Sequence, residues 1–306
     1  MAACDFHEAL ASTQDHRSNL SGLFMDLIDL VAAPGSALGG GMKRGAGDDR
    51  SVFDEAAGWA AVIDGATDVG PVRLFPEAES DAACFADLFA RELVTHPARP
   101  DEPMLDYFGR IAISLREAAI RASRVTLTDA PLASLPTAAA TFVRARNGFL
   151  EGATLGDTLA IVRQPDGAIG LIGDGGKPAD EQARAKKVMM MSPDQRLKWL
   201  QDTRALQNTP KGYWVFGVQS EAAAHIVIQT QPCPQGTRAL LVSDGFYRLV
   251  SPYGRYTDAE LIDQAGREGL GALLTELRSL EVNSADDAII GRFKTSDDAT
   301  ALLVEF

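Results

Sequence analysis

Aspartate stands repeatedly where an apolar run of this chain stops or starts. Asp48-Asp49 precedes SVF, Asp64-Gly65 follows AAVI, Asp244-Gly245 follows ALLVS, and Asp297-Asp298 precedes ATALLV. A fifth acid, in Gly156-Asp157, lies between two further apolar runs. A carboxylate at the end of a buried strand is costly unless it is hydrated, hydrogen-bonded or metal-bound. Several of them meeting at one sheet end would repel each other. A hard divalent cation removes that conflict, because Mg²⁺ and Mn²⁺ prefer carboxylate and water oxygens in octahedral geometry. The glycine after each of two aspartates lets the backbone turn sharply and leaves its carbonyl open to a metal. A single Asp-Gly is an ordinary turn dipeptide, so the weight lies in the recurrence.

The flanking pattern says which elements would carry these acids. SVFDEAAGWAAVIDG reads as two strands around a turn at Glu55 to Gly58. Helices are predicted over 77–96 and 103–125, each with an apolar stripe, lying antiparallel on a sheet. Residues 138–173 read as a meander of four short strands broken at Asn147-Gly148, Gly156-Asp157 and Asp166-Gly167. Residues 174–212 are polar and mostly helical, the segment suited to a flap. Strands are predicted at YWVFGV, HIVIQT and RALLVSDG, helices near 257–266 and 269–281, and a last strand at ATALLVEF. Phe24, Leu27, Ile28 and Val31 recur at helical spacing, so residues 1–40 read as an N-terminal helical extension and 41–306 as one domain. The order is not alternating βαβ. It fits an α+β fold of antiparallel sheets packed on each other with helices outside.

Bulk properties narrow the functions further. The chain has 306 residues, 46% hydrophobic and 23% charged, enough for a sizeable core. A net charge of −13 disfavours general nucleic-acid binding. Cys4, Cys84 and Cys233 form no CxxC pair, so neither a zinc knuckle nor a disulfide framework is expected. His7, His16, His96 and His225 show no ligand-like spacing. GGGMKRGAG and GDGGKP fail the P-loop pattern, and no GxSxG occurs. No basic n-region opens the chain and no run approaches the ~20 apolar residues of a membrane span, so a cytoplasmic protein without a membrane partner is expected.

The series Arg-x-x-x-acid-Asp, VIDG, LGDT, LLVSDGF and SDDATALLV, from Arg44 to Phe306, resembles the motifs of the protein phosphatase 2C family, the metal-dependent Ser/Thr phosphatases. The resemblance implies a four-layer α-β-β-α sandwich of two antiparallel sheets flanked by helices, with the catalytic domain over 41–306 and the flap near 174–212. It implies two ions, Mn²⁺ or Mg²⁺. Asp48 matches the acidic position that helps hold the second metal, and Asp49 is its neighbour. Asp64 matches the bridging ligand, with the Gly65 carbonyl beside it. Asp244 and Asp297 match the remaining ligands of the first metal, and Asp298 stands where asparagine is frequent. Asp157, with Asp244, matches the pair that holds a weaker third ion in some members. Arg44 matches the arginine that grips the substrate phosphate.

The implied activity is hydrolysis of phosphoserine and phosphothreonine by direct attack of a metal-bridging hydroxide, with Arg44 and Asp64 central to catalysis and no phosphoenzyme. One position departs from the pattern. Some members carry a histidine, a candidate general acid, directly after the Asp-Gly motif, and this chain has Ala66. Two other readings follow: a catalytically weak or inactive phosphatase-like binding protein, and a phosphatase of small phosphorylated metabolites. The partner is a phosphorylated protein in the first reading and a small phosphorylated molecule in the last.

Overall fold

A computed structural model describes residues 25–35, 47–99, 101–173, 188, 190–283 and 296–306. Its strands are β1 (Asp26–Ala33), β2 (Arg50–Asp54), β3 (Trp59–Gly65), β4 (Thr137–Arg146), β5 (Phe149–Leu155), β6 (Leu159–Arg163), β7 (Ile169–Ile172), β8 (Phe216–Gly217), β9 (Val227–Pro232), β10 (Arg238–Val242) and β11 (Ala299–Glu305). The described helices are α1 (Asp81–Thr95), α2 (Met104–Ala122), α3 (Pro193–Arg204), α4 (Asp244–Tyr247), α5 (Asp258–Glu268) and α6 (Leu270–Asn283). One antiparallel sheet runs β1-β11-β10-β6-β7, and the other runs β2-β3-β4-β5-β9 with β8 on β4.

Period-two patterning in the central strands builds three apolar layers. On β3, Ala60 and Val62 face the sheet β1-β11-β10-β6-β7, where they meet Ala160, Val162, Leu241 and Leu302. The alternate residues Trp59, Ala61 and Ile63 face outward onto α1 and α2, among Phe85, Phe89, Tyr107 and Phe108. On the far side, Ile161, Leu240 and Leu303 receive Leu261 and Ile262 of α5 and Leu273 and Leu277 of α6. Each fully buried side chain of this size contributes roughly 1.5–3 kcal/mol. The result is the expected α-β-β-α sandwich.

Local chemistry sets the ends of the elements. Ser80 caps α1 by accepting from Ala83 N, and α3 and α5 open with complete capping boxes at Ser192 and Thr257. Gly109 sits inside α2, where an added methyl would meet nothing within 4 Å. Gly109→Ala should therefore stabilise the protein by about 0.5–1 kcal/mol, read as a shifted denaturant midpoint.

Three expectations are corrected. The helix expected over Phe24 to Val31 is, where described, the strand β1, paired with β11 from Asp26↔Glu305 to Ala33↔Ala299. Ile28 and Val31 are β-branched, and exposure alternates along DLIDLVAA, so period two wins over the apparent helical spacing. Residues 26–33 thus complete a sheet rather than form a helical extension; 1–24 and 36–40 lie outside the described residues. The meander is split, because β4 and β5 belong to one sheet and β6 and β7 to the other. Gly156-Asp157 is the crossing, with Gly156 at φ +101° beside Ala139. YWVFGV shrinks to the two residues of β8, with Trp214 stacked on His225 instead.

Within the segment read as a flap lies α3, whose Gln201 Nε2 donates to Val69 O at 2.9 Å and whose Arg204 Nη2 donates to Thr67 O at 2.9 Å. Residues 174–187 and 189 lie outside the described residues. Among the described residues no helix is long and apolar enough to cross a membrane.

Candidate active site

The two sheets deliver their aspartates to one end of the sandwich. Asp48 and Asp49 close the turn before β2, Asp64 is the penultimate residue of β3, and Asp157 sits in the crossing from β5 to β6. Asp244 begins α4 directly after β10, and Asp297 and Asp298 lead into β11. β3 is apolar and buried up to Asp64, and β10 from Ala239 to Val242 is apolar and buried before Ser243 and Asp244, so in these two strands charge appears where the buried run stops.

Close backbone approach makes the convergence possible. A Cβ at Gly245 would overlap the carbonyl oxygen of Asp298, and one at Gly65 would lie 2.5 Å from the carbonyl oxygen of Asp48. Asp298, 4% exposed, works as a structural bracket: Oδ1 accepts from Gly35 N at 2.6 Å and Oδ2 from Asp48 N at 3.1 Å. It thereby ties the end of β1 and the Asp48 turn to the start of β11.

The electrostatics identify what has been gathered. Asp49 is 1% exposed, and among the described residues neither of its carboxylate oxygens has a hydrogen bond of regular geometry, although the Ser243 hydroxyl lies close enough to favour its charged form. Burial, then the charge of Asp298, holds its carboxyl well above the usual range; Asp244 and Asp297 push the same way, against a smaller opposing influence from Ser243. Asp64 is likewise held well above that range, first by burial and then by Asp49, Asp244, Asp157 and Asp297. The charges of Asp298, Asp244 and Asp297 thus act on Asp49, and those of Asp49, Asp244, Asp157 and Asp297 on Asp64. Asp48 adjoins them, but its Oδ1 accepts from Ser80 Oγ at 2.5 Å, turning it toward the start of α1.

Arginines offset part of this charge. Arg248 Nη2 donates to Asp297 Oδ2 at 2.7 Å, and its Nη1 lies 3.6 Å from Glu281 on α6. Arg278 Nη1 bonds the other oxygen of Glu281 at 2.7 Å. Arg50 is held by Asp87 at 2.5 Å and lies within reach of the Asp48 and Asp49 charges. Arg248 was not singled out from sequence; the available signal was its place four residues after Asp244 in SDGFYR. Asp68 was missed too: it accepts from Asp81 N and Ala82 N at the start of α1. Arg44 lies outside the described residues.

Among the described residues no three acidic, histidine or cysteine side chains already surround a common point as metal ligands. The acids nonetheless suit a hard cation, because all are carboxylates and, among the described residues, the buried Asp49 oxygens lack a hydrogen bond of regular geometry.

No protein-family model matches the sequence, and no curated protein matches it. Solved structures do match the fold. A serine/threonine phosphatase of Mycobacterium tuberculosis, PstP/Ppp, aligns with TM-score 0.56 and 12% identity, over 93% of this chain and 99% of that one. The catalytic domain of the serine/threonine phosphatase PstP, in complex with two manganese ions, aligns with TM-score 0.54 and 14% identity, over 92% and 98% of the two chains. The S. agalactiae serine/threonine phosphatase aligns with TM-score 0.51 and 14% identity, over 92% and 99%. At such identities the likeness is one of fold, and it is the fold that the resemblance to protein phosphatase 2C implies.

Proposed function

We propose that this chain is a metal-dependent phosphatase that hydrolyses phosphoserine and phosphothreonine esters by direct attack of water, without a phosphoenzyme. The observation that carries the reading is the Asp49 carboxylate, buried without a hydrogen bond of regular geometry among the described residues, together with Asp64, whose charged form burial and the same acids disfavour. Such a pair costs stability in the absence of a cation, and a structural role would not require it. The binding-only reading is disfavoured for the same reason. Fold likeness to serine/threonine phosphatases, one with two manganese ions, supports the same reaction class.

Asp49, Asp64, Gly65, Asp244 and Asp297 would hold two divalent cations, Mn²⁺ or Mg²⁺, and Asp157 with Asp244 a weaker third. Asp49 replaces Asp48 as the chief donor from its turn, because Asp48 is engaged by Ser80. Bound there, divalent cations supply Lewis acidity toward the phosphoryl oxygens and lower the pKa of water. The chain's own residues do the rest. Arg248 orients Asp297 by its 2.7 Å hydrogen bond, and Asp298 fixes the Asp48-Asp49 turn through the backbone. Arg44 is assigned to the substrate phosphate from its motif, since guanidinium suits a bidentate grip.

The test is hydrolysis of p-nitrophenyl phosphate by the purified chain with Mn²⁺, with chelator, and in Asp64→Asn. Activity should require Mn²⁺ and fall by at least about 10³-fold in Asp64→Asn, since that change removes a transition-state interaction along with a ligand. Metal-independent activity, or a fully active Asp64→Asn, would sink the reading. Comparing phosphopeptides with small phosphorylated metabolites in the same assay decides the substrate class.

A further inference from the structure

Position 66 carries no proton donor, yet the structure builds a hydrogen-bonded chain that starts there. Ala66 N donates to the carbonyl oxygen of Thr137 at 2.9 Å. Thr137 Oγ1 donates to Gln207 Oε1 at 3.0 Å, and Gln207 Nε2 donates to the Tyr213 hydroxyl oxygen at 2.5 Å. Thr137 and Gln207 are 3% and 5% exposed, so this chain is a buried, ordered connection rather than a surface contact. Because the tyrosine oxygen accepts from Gln207, its own proton remains available to a further acceptor.

The loop that carries Tyr213 is itself fixed. Tyr213 O accepts from Asn208 N at 2.9 Å, and Asn208 Oδ1 accepts from Val215 N at 2.9 Å. Arg204 anchors the preceding helix α3 to Thr67 O, three residues past Asp64. Beside this loop lies a cavity of about 230 Å³ bordered by Thr137, Arg204, Gln207 and Asn208. About half of Tyr213 is exposed, and its hydroxyl is held by Gln207. Burial, then the charge of Asp157 and more weakly that of Asp64, raises its pKa, against Arg204 and Gln207. The Thr137 end of this chain sits at the start of β4, where Ala138 and Ala139 pair with Gly65 and Asp64, and the charges of Asp157 and Asp64 act on the hydroxyl. The described histidines are committed elsewhere: His96 to Glu92 at 3.0 Å, and His225 to the face of Trp214.

We propose that Tyr213 is the proton donor to the departing seryl or threonyl oxygen, in the place of the histidine absent at position 66, with Gln207 and Thr137 as its positioning residues. This rests on the phosphatase reading above. As water oxygen bonds to phosphorus, the bond from phosphorus to the seryl oxygen breaks and its electron pair stays on that oxygen. The phenolic proton of Tyr213 moves there, releasing the neutral alcohol. The proton given up by the attacking water returns to the phenolate through solvent. The sum is ester plus water to alcohol plus hydrogen phosphate.

A proton donor matters only when the leaving group is a poor one. The experiment compares wild type, Tyr213→Phe and Gln207→Leu, with Mn²⁺, on a phosphoserine peptide and on p-nitrophenyl phosphate, whose leaving group departs without a proton. In Tyr213→Phe, kcat for the peptide should fall about 10²-fold further than kcat for the aryl ester. Gln207→Leu should show the same selectivity, weaker. Equal losses on both substrates, or none, would overturn the assignment to Tyr213 while leaving the phosphatase reading intact. A wild type inert toward both substrates would overturn the phosphatase reading and the assignment with it.

Discussion

Asp49→Asn should make the metal-free protein more stable and the Mn²⁺-treated protein no more stable than that. The wild-type carboxyl is buried, has no hydrogen bond of regular geometry among the described residues, and feels the charge of several other acids. Replacing it by an amide removes the repulsion but leaves a polar group that still lacks partners, so the net gain at neutral pH is about 1–2 kcal/mol. For a domain of this size that is roughly 2–8 °C in Tm. Wild type should gain stability from saturating Mn²⁺ by the usual mass-action term, about 2.7 kcal/mol at a hundredfold excess over Kd. The variant should gain far less, because its strongest donor is gone. Thermal melts with chelator and with Mn²⁺ read both arms at once. Identical Mn²⁺ stabilisation of the two proteins would remove Asp49 from the ligand set.

The same substitution has a pH signature whose sign is fixed. In the metal-free protein the folded-state pKa values of Asp49 and Asp64 are raised above the unfolded value, about 3.9. Between the unfolded and folded pKa values the folded chain binds more protons than the unfolded one, so these groups lower stability as pH rises. The penalty is absent below about pH 4 and grows as pH climbs through the raised folded values. The advantage of Asp49→Asn over wild type should therefore be near zero in acid and largest at neutral pH, in chelator.

Gly245→Ala should cost about 3 kcal/mol or more and abolish Mn²⁺ stabilisation in the protein that still folds. The methyl would overlap the Asp298 carbonyl oxygen, with Asp297 Cβ 3.2 Å away. Both neighbours are backbone or anchored side chain, so neither can yield as a flexible tip would. The start of α4 would have to retreat from β11, taking Asp244 away from Asp297. Gly109→Ala, a methyl added in open space, is the internal control for the change in residue type. Urea unfolding measures the cost, and a melt with Mn²⁺ reports the site. A Gly245→Ala protein with wild-type stability would show that the two backbones are not as tightly apposed as the structure has them.

Much of the molecule could be read before any coordinates. Apolar runs ending in aspartate pointed to strands that carry charge at their ends, and β3 with Asp64 and β10 with Asp244 are such strands. Helical stripes announced α1 and α2, because an amphipathic face repeats every turn and needs no knowledge of its partner. Edge strand β1 was misread for the converse reason. Its apolar positions satisfy both periods over a short window, and only pairing with β11 decides between them.

By itself, the sequence determined the layer architecture, the acids that stand at strand ends and the alanine in place of histidine at position 66, because these are matters of residue type and local period. Tertiary structure alone decided that Gly156-Asp157 crosses between sheets, that Asp49 rather than Asp48 carries the oxygens without a regular hydrogen bond among the described residues, and that Asp298 brackets backbone. It alone brought Arg248 to Asp297 and Tyr213 to the line leading from Ala66. Those relations join residues scores of positions apart. Their energies depend on distance and burial in three dimensions, and neither quantity is written in the order of residues along a chain.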